Sequence, residues 1–106
     1  MTMTPTQLTL RKLRADGWPL VQVVEVWQPH ARVRQDLFQL IDVIAVGPDG
    51  VLGIQATSHT NVSSRIRKIA EHPNTPHLRE AGWELRVWGW KKVGGRWTLS
   101  RDVDVS

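Results

Sequence analysis

The sequence predicts one α/β (α+β) domain over residues 1–106, a mixed sheet with helices packed against it. Three observations predict it. A chain of 106 residues can bury one hydrophobic core and not two. Val- and Ile-rich runs of strand length recur between Gly and Pro breaks. Two segments, one near the start and one past the middle, instead carry apolar residues at helical spacing.

The first element is a helix with a written start. Thr4 is its N-cap, Pro5 takes the first helical position, and Gln7 completes a capping box. Met3 and Leu8 stand where a hydrophobic staple joins, Leu10 and Leu13 continue the apolar face, and Gly17 stops the helix. Leu20 to Trp27 reads as a strand closed by Pro29. Leu37 to Val46 is apolar on both faces, as a central strand is, and only Asp42 breaks its pattern. Gly47-Pro48-Asp49-Gly50 is a turn, and Val51 to Ser58 returns as the hairpin partner. Asn61 to Glu71 is a second helix, with Ile66, Ile69 and Ala70 on one face and Arg65, Arg67 and Lys68 around it. Thr75-Pro76 starts a short helical piece that Gly82 closes. Trp83 to Trp90 is the next strand, Gly94-Gly95 turns, and Arg96 to Ser100 returns as the last. The polar tail, Arg101 to Ser106, is expected to be loose.

Composition narrows the function. Lys plus Arg number 14 against 10 Asp plus Glu, a formal net charge of +4. A sequence pI near 10.4 favours a polyanionic partner. The absence of cysteine excludes disulfides, thiolate zinc sites and cysteine nucleophiles. Met1 to Leu10 lacks the apolar centre of a signal peptide, and no apolar run is long enough to span a membrane. An intracellular, soluble protein is expected. His59, His72 and His77 lack metal-ligand spacing, so no zinc is expected. Six Trp must serve the core or a contact surface. Trp88 suits the core, with Lys91 and Lys92 guarding an edge strand.

The chemistry concentrates between Glu25 and Thr57. A carboxylate within Leu40-Ile41-Asp42-Val43-Ile44-Ala45-Val46 is costly to bury unless it is paired or binds a cation. Alternation along the next strand points Gln55 and Thr57 to one face. Pairing through the Gly47 to Gly50 turn sets Asp42 beside Gln55. Glu25 is expected to share a strand face with Val23 and Trp27, and Asp36 precedes the acidic strand.

Ile41-Asp42-Val43-Ile44-Ala45, a turn, then Leu52-Gly53-Ile54-Gln55-Ala56-Thr57-Ser58 resembles the PD-(D/E)XK nucleases, most of all the archaeal Holliday-junction resolvase and small phage nuclease type. The resemblance covers nearly the whole chain and implies a restriction-endonuclease-like αβββαβ core followed by a C-terminal β-hairpin. Asp42 matches the family Asp, whereas Gln55 stands for the usual Glu and Thr57 for the usual Lys. It implies Mg2+ (or Mn2+) held by Asp42, Gln55 and the Ala56 carbonyl, with Glu25 or Asp36 as a further acid. It also implies hydrolysis of DNA phosphodiesters in a bacterial or phage setting. A neutral amide binds a hard cation more weakly than a carboxylate, and Thr57 cannot supply positive charge at the phosphate. Arg65 and Lys68 are the candidates to replace it. The alternative is a member that kept the fold, lost the cut, and binds nucleic acid or a protein partner through its Trp-rich strands.

Plainer readings stand beside these. Asp42 could be a structural acid held by backbone amides or an arginine, and Gln55 a satisfied core amide. Thr57 could be an ordinary strand residue, Glu25 an exposed acid paired with Arg32 or Arg34, and Asp36 a turn or cap residue. His30, Arg32 and Arg34 on one loop, and Asn61, Arg65 and Lys68 on the second helix, could contact phosphate or simply be solvated. The small size makes a homodimer on DNA an expectation, checked by sedimentation with and without DNA.

Overall fold

The computed structural model describes residues 3–106; the first two residues, part of the stretch read for a leader, lie outside it. The chain runs α1 (Pro5–Ala15), β1 (Leu20–Val23), β2 (Val26–Gln28), β3 (Val33–Gln35), β4 (Val43–Gly47) and β5 (Gly50–Ser58). A 3-10 turn at His59–Asn61 leads into α2 (Val62–Glu71), α3 (Thr75–Glu80), β6 (Glu84–Val93) and β7 (Arg96–Asp104). It is an α+β fold. A five-stranded mixed sheet, ordered β1-β4-β5-β6-β7, is flanked by helices and ends in the β6–β7 hairpin, while β2 and β3 form a separate ribbon. Every neighbouring pair in the sheet is antiparallel except β5 and β6, the pair that α2 and α3 connect. The sequence order α1-β1-β4-β5-α2-β6 reproduces the expected αβββαβ core.

Each face of the sheet carries a core. On one side Leu8 and Leu13 of α1 pack with Val43, Ala45, Leu52, Ile54, Trp88 and Trp90, with Met3 against the same cluster. The capping box at Thr4 and Gln7 fixes where α1 begins. Buried Thr9 then accepts the Trp90 indole N–H at 3.0 Å, tying helix to sheet through the one polar atom each must satisfy. On the other side Val62 and Ile69 of α2 and Leu78 of α3 cover Leu40, Ile41, Leu85 and Val87. Gly53 makes that approach possible, because a Cβ there would stand 2.6 Å from Cδ1 of Ile41. No described helix is long and apolar enough to cross a membrane.

Three expectations need correcting. Leu20 to Trp27 is not one strand. It breaks at Val24 and Glu25, and Val26 starts a ribbon in which Val26 to Gln28 pairs with Gln35 to Val33. Glu25 therefore sits at a junction and not on a strand face shared with Val23 and Trp27. The strand expected from Leu37 begins only at Val43. Residues 37–41 instead close a small loop with a Leu37–Ile41 bridge. Finally, Arg101 to Asp104 is not loose. It pairs with Gly89 to Arg86, and Arg86 bridges Glu84, Asp102 and Asp104. The pairs to Asp102 and Asp104 cross from β6 to β7 and give polar residues a reason to be ordered, and the tail becomes the edge of the sheet.

Candidate metal centre

The site is built by two pieces of local geometry. The β4–β5 turn sets an antiparallel register that pairs Val43 with Ile54; one step further it places Asp42 opposite Gln55. Asp42 keeps strand-like bonds on both sides, giving its amide to Ile54 O and accepting from the Val24 amide. The 37–41 loop supplies the second piece. Its Leu37–Ile41 bridge brings the residues at either end, Asp36 and Asp42, to the same place. Phe38 and Gln39 adopt the left-handed backbone region (φ 54° and 65°), which costs energy for non-glycine residues and must be held from outside. Asn74 Nδ2 bonds to Phe38 O, His72 Nε2 meets Gln39 Oε1, and Trp83 stands edge-on to the Phe38 ring.

Carboxylate oxygens of Glu25, Asp36 and Asp42 lie within 4.8 Å of one another. Asp42 is buried, and one of its oxygens accepts from Gln55 Nε2 at 2.8 Å and from the Ala56 amide at 2.9 Å. Gln55 Nε2 also reaches Asp36 at 3.4 Å, while Gln55 Oε1 is buried without a partner. Glu25 accepts from Thr6 Oγ1 of α1 and lies 3.9 Å from Arg34 of the ribbon. Lys68 of α2 reaches Asp36 at 3.8 Å. No arginine seals Asp42 among the described residues; its two donors are amides.

The electrostatics follow. Burial pushes the Asp42 carboxyl up from 3.8 to about 8; the neighbouring Asp36 carboxyl adds to the rise, the Ala56 amide opposes it, and Glu25 adds again. The cations at the cluster pair with its other two acids, Lys68 with Asp36 and Arg34 with Glu25, and among the described residues none forms an ion pair with Asp42.

A divalent cation fits this donor set. Magnesium-like ions take hard oxygens, and three carboxylates converge here beside the Gln55 amide, whose Nε2 faces them and whose Oε1 has no partner. The O and N of an amide exchange places by a half-turn, and the present orientation, Nε2 toward the acids, is the one that suits a cluster without a cation. Because the amide and carbonyl of one strand residue face the same neighbour, the Ala56 carbonyl lies on the Asp42 side.

The other expected residues separate clearly. Thr57 is buried on β5 across from Gly89 and makes no hydrogen bond to the acids. Lys68 comes to the cluster from α2, whereas Arg65 and Asn61 lie one and two turns back along the same helical stripe. Asn61 itself bonds to Ser58. Arg34 reaches the site from the ribbon, and His30 and Arg32 sit exposed on its turn. Thr6 was not foreseen, since nothing in its local sequence says that the start of α1 faces Glu25. No protein-family model, curated protein or solved structure matches this chain.

Proposed function

We propose that the chain is a PD-(D/E)XK-like endonuclease domain that hydrolyses DNA phosphodiesters with a divalent cation, Mg2+ or Mn2+. One observation carries this reading: a buried acid and two further acids converge where paired strands bring Asp42 against the Gln55 amide. Asp42, Asp36, Glu25 and the Gln55 oxygen would hold the ion, with the Ala56 carbonyl beside them. The chemistry such a cation supplies is activation of water and neutralisation of phosphate charge.

The chain's own residues perform the rest. Burial keeps the Asp42 carboxyl protonated up to about pH 8, and a bound cation would favour its charged form, so metal binding would release its proton. Lys68 occupies the position that matters for Thr57's missing charge: it arrives from α2 and reaches the acids at Asp36. An ammonium there orients a water and offsets charge on the phosphate. Arg65, one turn away, and Arg34 and Arg32 of the ribbon extend positive charge outward as phosphate contacts, with His30 beside them as a hydrogen-bonding group.

The test is cleavage of supercoiled plasmid with Mg2+ or Mn2+, comparing the wild type with Asp42→Ala and Lys68→Ala. The expected result is metal-dependent nicking, abolished by Asp42→Ala and reduced about a hundred-fold or more by Lys68→Ala. Equal cleavage by wild type and Asp42→Ala would remove the acid from the chemistry. Salt-sensitive DNA binding without cleavage would favour the second reading, a binding module, for which the neutral Gln55-x-Thr57 pair speaks.

A further inference from the structure

Exposed apolar side chains gather on one feature. Among the described residues Leu20, Val26, Trp27, Val33, Phe38 and Val93 are large and exposed, and four of these lie between positions 26 and 38. They belong to the β2–β3 ribbon and the loop after it. Two strands without a third have no core to hide such groups. The Trp27 indole, 54% exposed, can leave water only by meeting a partner.

The surrounding charge selects the partner. From Val26 to Gln35 the chain carries His30, Arg32 and Arg34 and no acid. Two arginines and a histidine close to a flat indole suit a polyanion that has flat faces. The register then sets the geometry. Trp27 pairs with Arg34, so the two side chains share one face of the ribbon. The Arg34 guanidinium approaches Glu25 of the acidic cluster at 3.9 Å. Between the ribbon and the first turn of α1 lies a cleft of about 520 Å³, lined by Thr4, Gln7, Glu25 and Arg34 among others.

We infer that the ribbon is a clamp for an unpaired nucleotide beside the acids, with Trp27 stacking a splayed base and Arg34 holding the adjoining phosphate. The substrate class is therefore nucleic acid with an unpaired, unstacked base, as in a single strand. A base inside a continuous duplex presents no free face to an indole, whereas an unstacked base does. This deepens the nuclease reading and rests on it.

The experiment measures anisotropy of two labelled probes, an oligothymidine strand and a blunt duplex of equal length, in EDTA so that no cleavage intervenes. Wild type is expected to prefer the strand. Trp27→Ala should weaken strand binding by about ten-fold or more and leave duplex binding within about two-fold. Trp27→Phe should retain most of the strand affinity. Both variants should melt as wild type does, since the side chain is exposed and outside both cores. Equal loss on both probes, no loss on either, or a phenylalanine as damaging as alanine would overturn the clamp. Metal-dependent plasmid cleavage surviving any of those results would leave the nuclease reading standing. A wild type that binds neither probe would overturn the clamp and count against the nuclease reading as well.

Discussion

At the scale of single residues, Asp42 sets the chemistry because its donors are two amides and no cation. The consequence is a pH dependence whose sign can be worked out. Its carboxyl lies near the ordinary 3.8 in the unfolded chain and at about 8 in the folded one. Between those values the folded protein holds more protons than the unfolded chain, so stability falls as pH rises through that window. Thermal melts without divalent ions should therefore show the melting temperature dropping toward pH 8, with a flatter profile in Asp42→Asn. A wild-type profile as flat as the variant's would show that the buried acid is not under this strain. The Asp42–Gln55 pairing is legible in the sequence, since a Pro-Asp-Gly turn between two apolar runs fixes register and register fixes opposition. Lys68 at Asp36 is not legible in the same way. The two residues stand far apart in sequence and meet only because α2 packs across the sheet.

At the scale of elements, the boundaries follow caps and turns closely where these are chemically explicit. Thr4, Gly47 to Gly50 and Gly94-Gly95 all mark what they were read to mark. The errors lie where β-forming residues run through a change of sheet. Val21, Val23 and Trp27 fall at the odd positions that would share one face of a single strand, yet the chain leaves the sheet at Glu25 and places the acid at the junction. Likewise Leu37, Leu40 and Ile41 look like buried strand and are buried or half-buried, but in a loop clamped from outside by Asn74 and Trp83. Apolar content reports burial there, and tertiary contacts decide backbone shape. The α1–sheet contact gives an element-scale prediction. Thr9→Val removes the acceptor for the buried Trp90 N–H while nearly preserving shape. It should cost about 1–3 kcal/mol in chemical denaturation, because an unpaired buried donor retains its desolvation penalty. Unchanged stability would mean that water satisfies the indole instead.

At the scale of the whole molecule, a chain of net charge +4 encloses an acidic cluster. The positive groups nearest that cluster, Lys68 and Arg34, come from α2 and from the ribbon, on elements that flank the sheet. In the proposed reading this division has a purpose: the outer charge gathers a polyanion, and the inner charge holds the cation that acts on it. The fold class was legible from pattern and length, whereas the division of charge emerged only when helix and ribbon were placed around the sheet. The most direct test of the account is Mn2+ binding, followed by titration calorimetry near pH 8, where Asp42 gives up its proton readily. The account predicts saturable binding to wild type, weakened about ten-fold or more in Asp42→Asn and in Asp36→Asn, and strengthened in Gln55→Glu. Equal affinity in wild type and Asp42→Asn would contradict it.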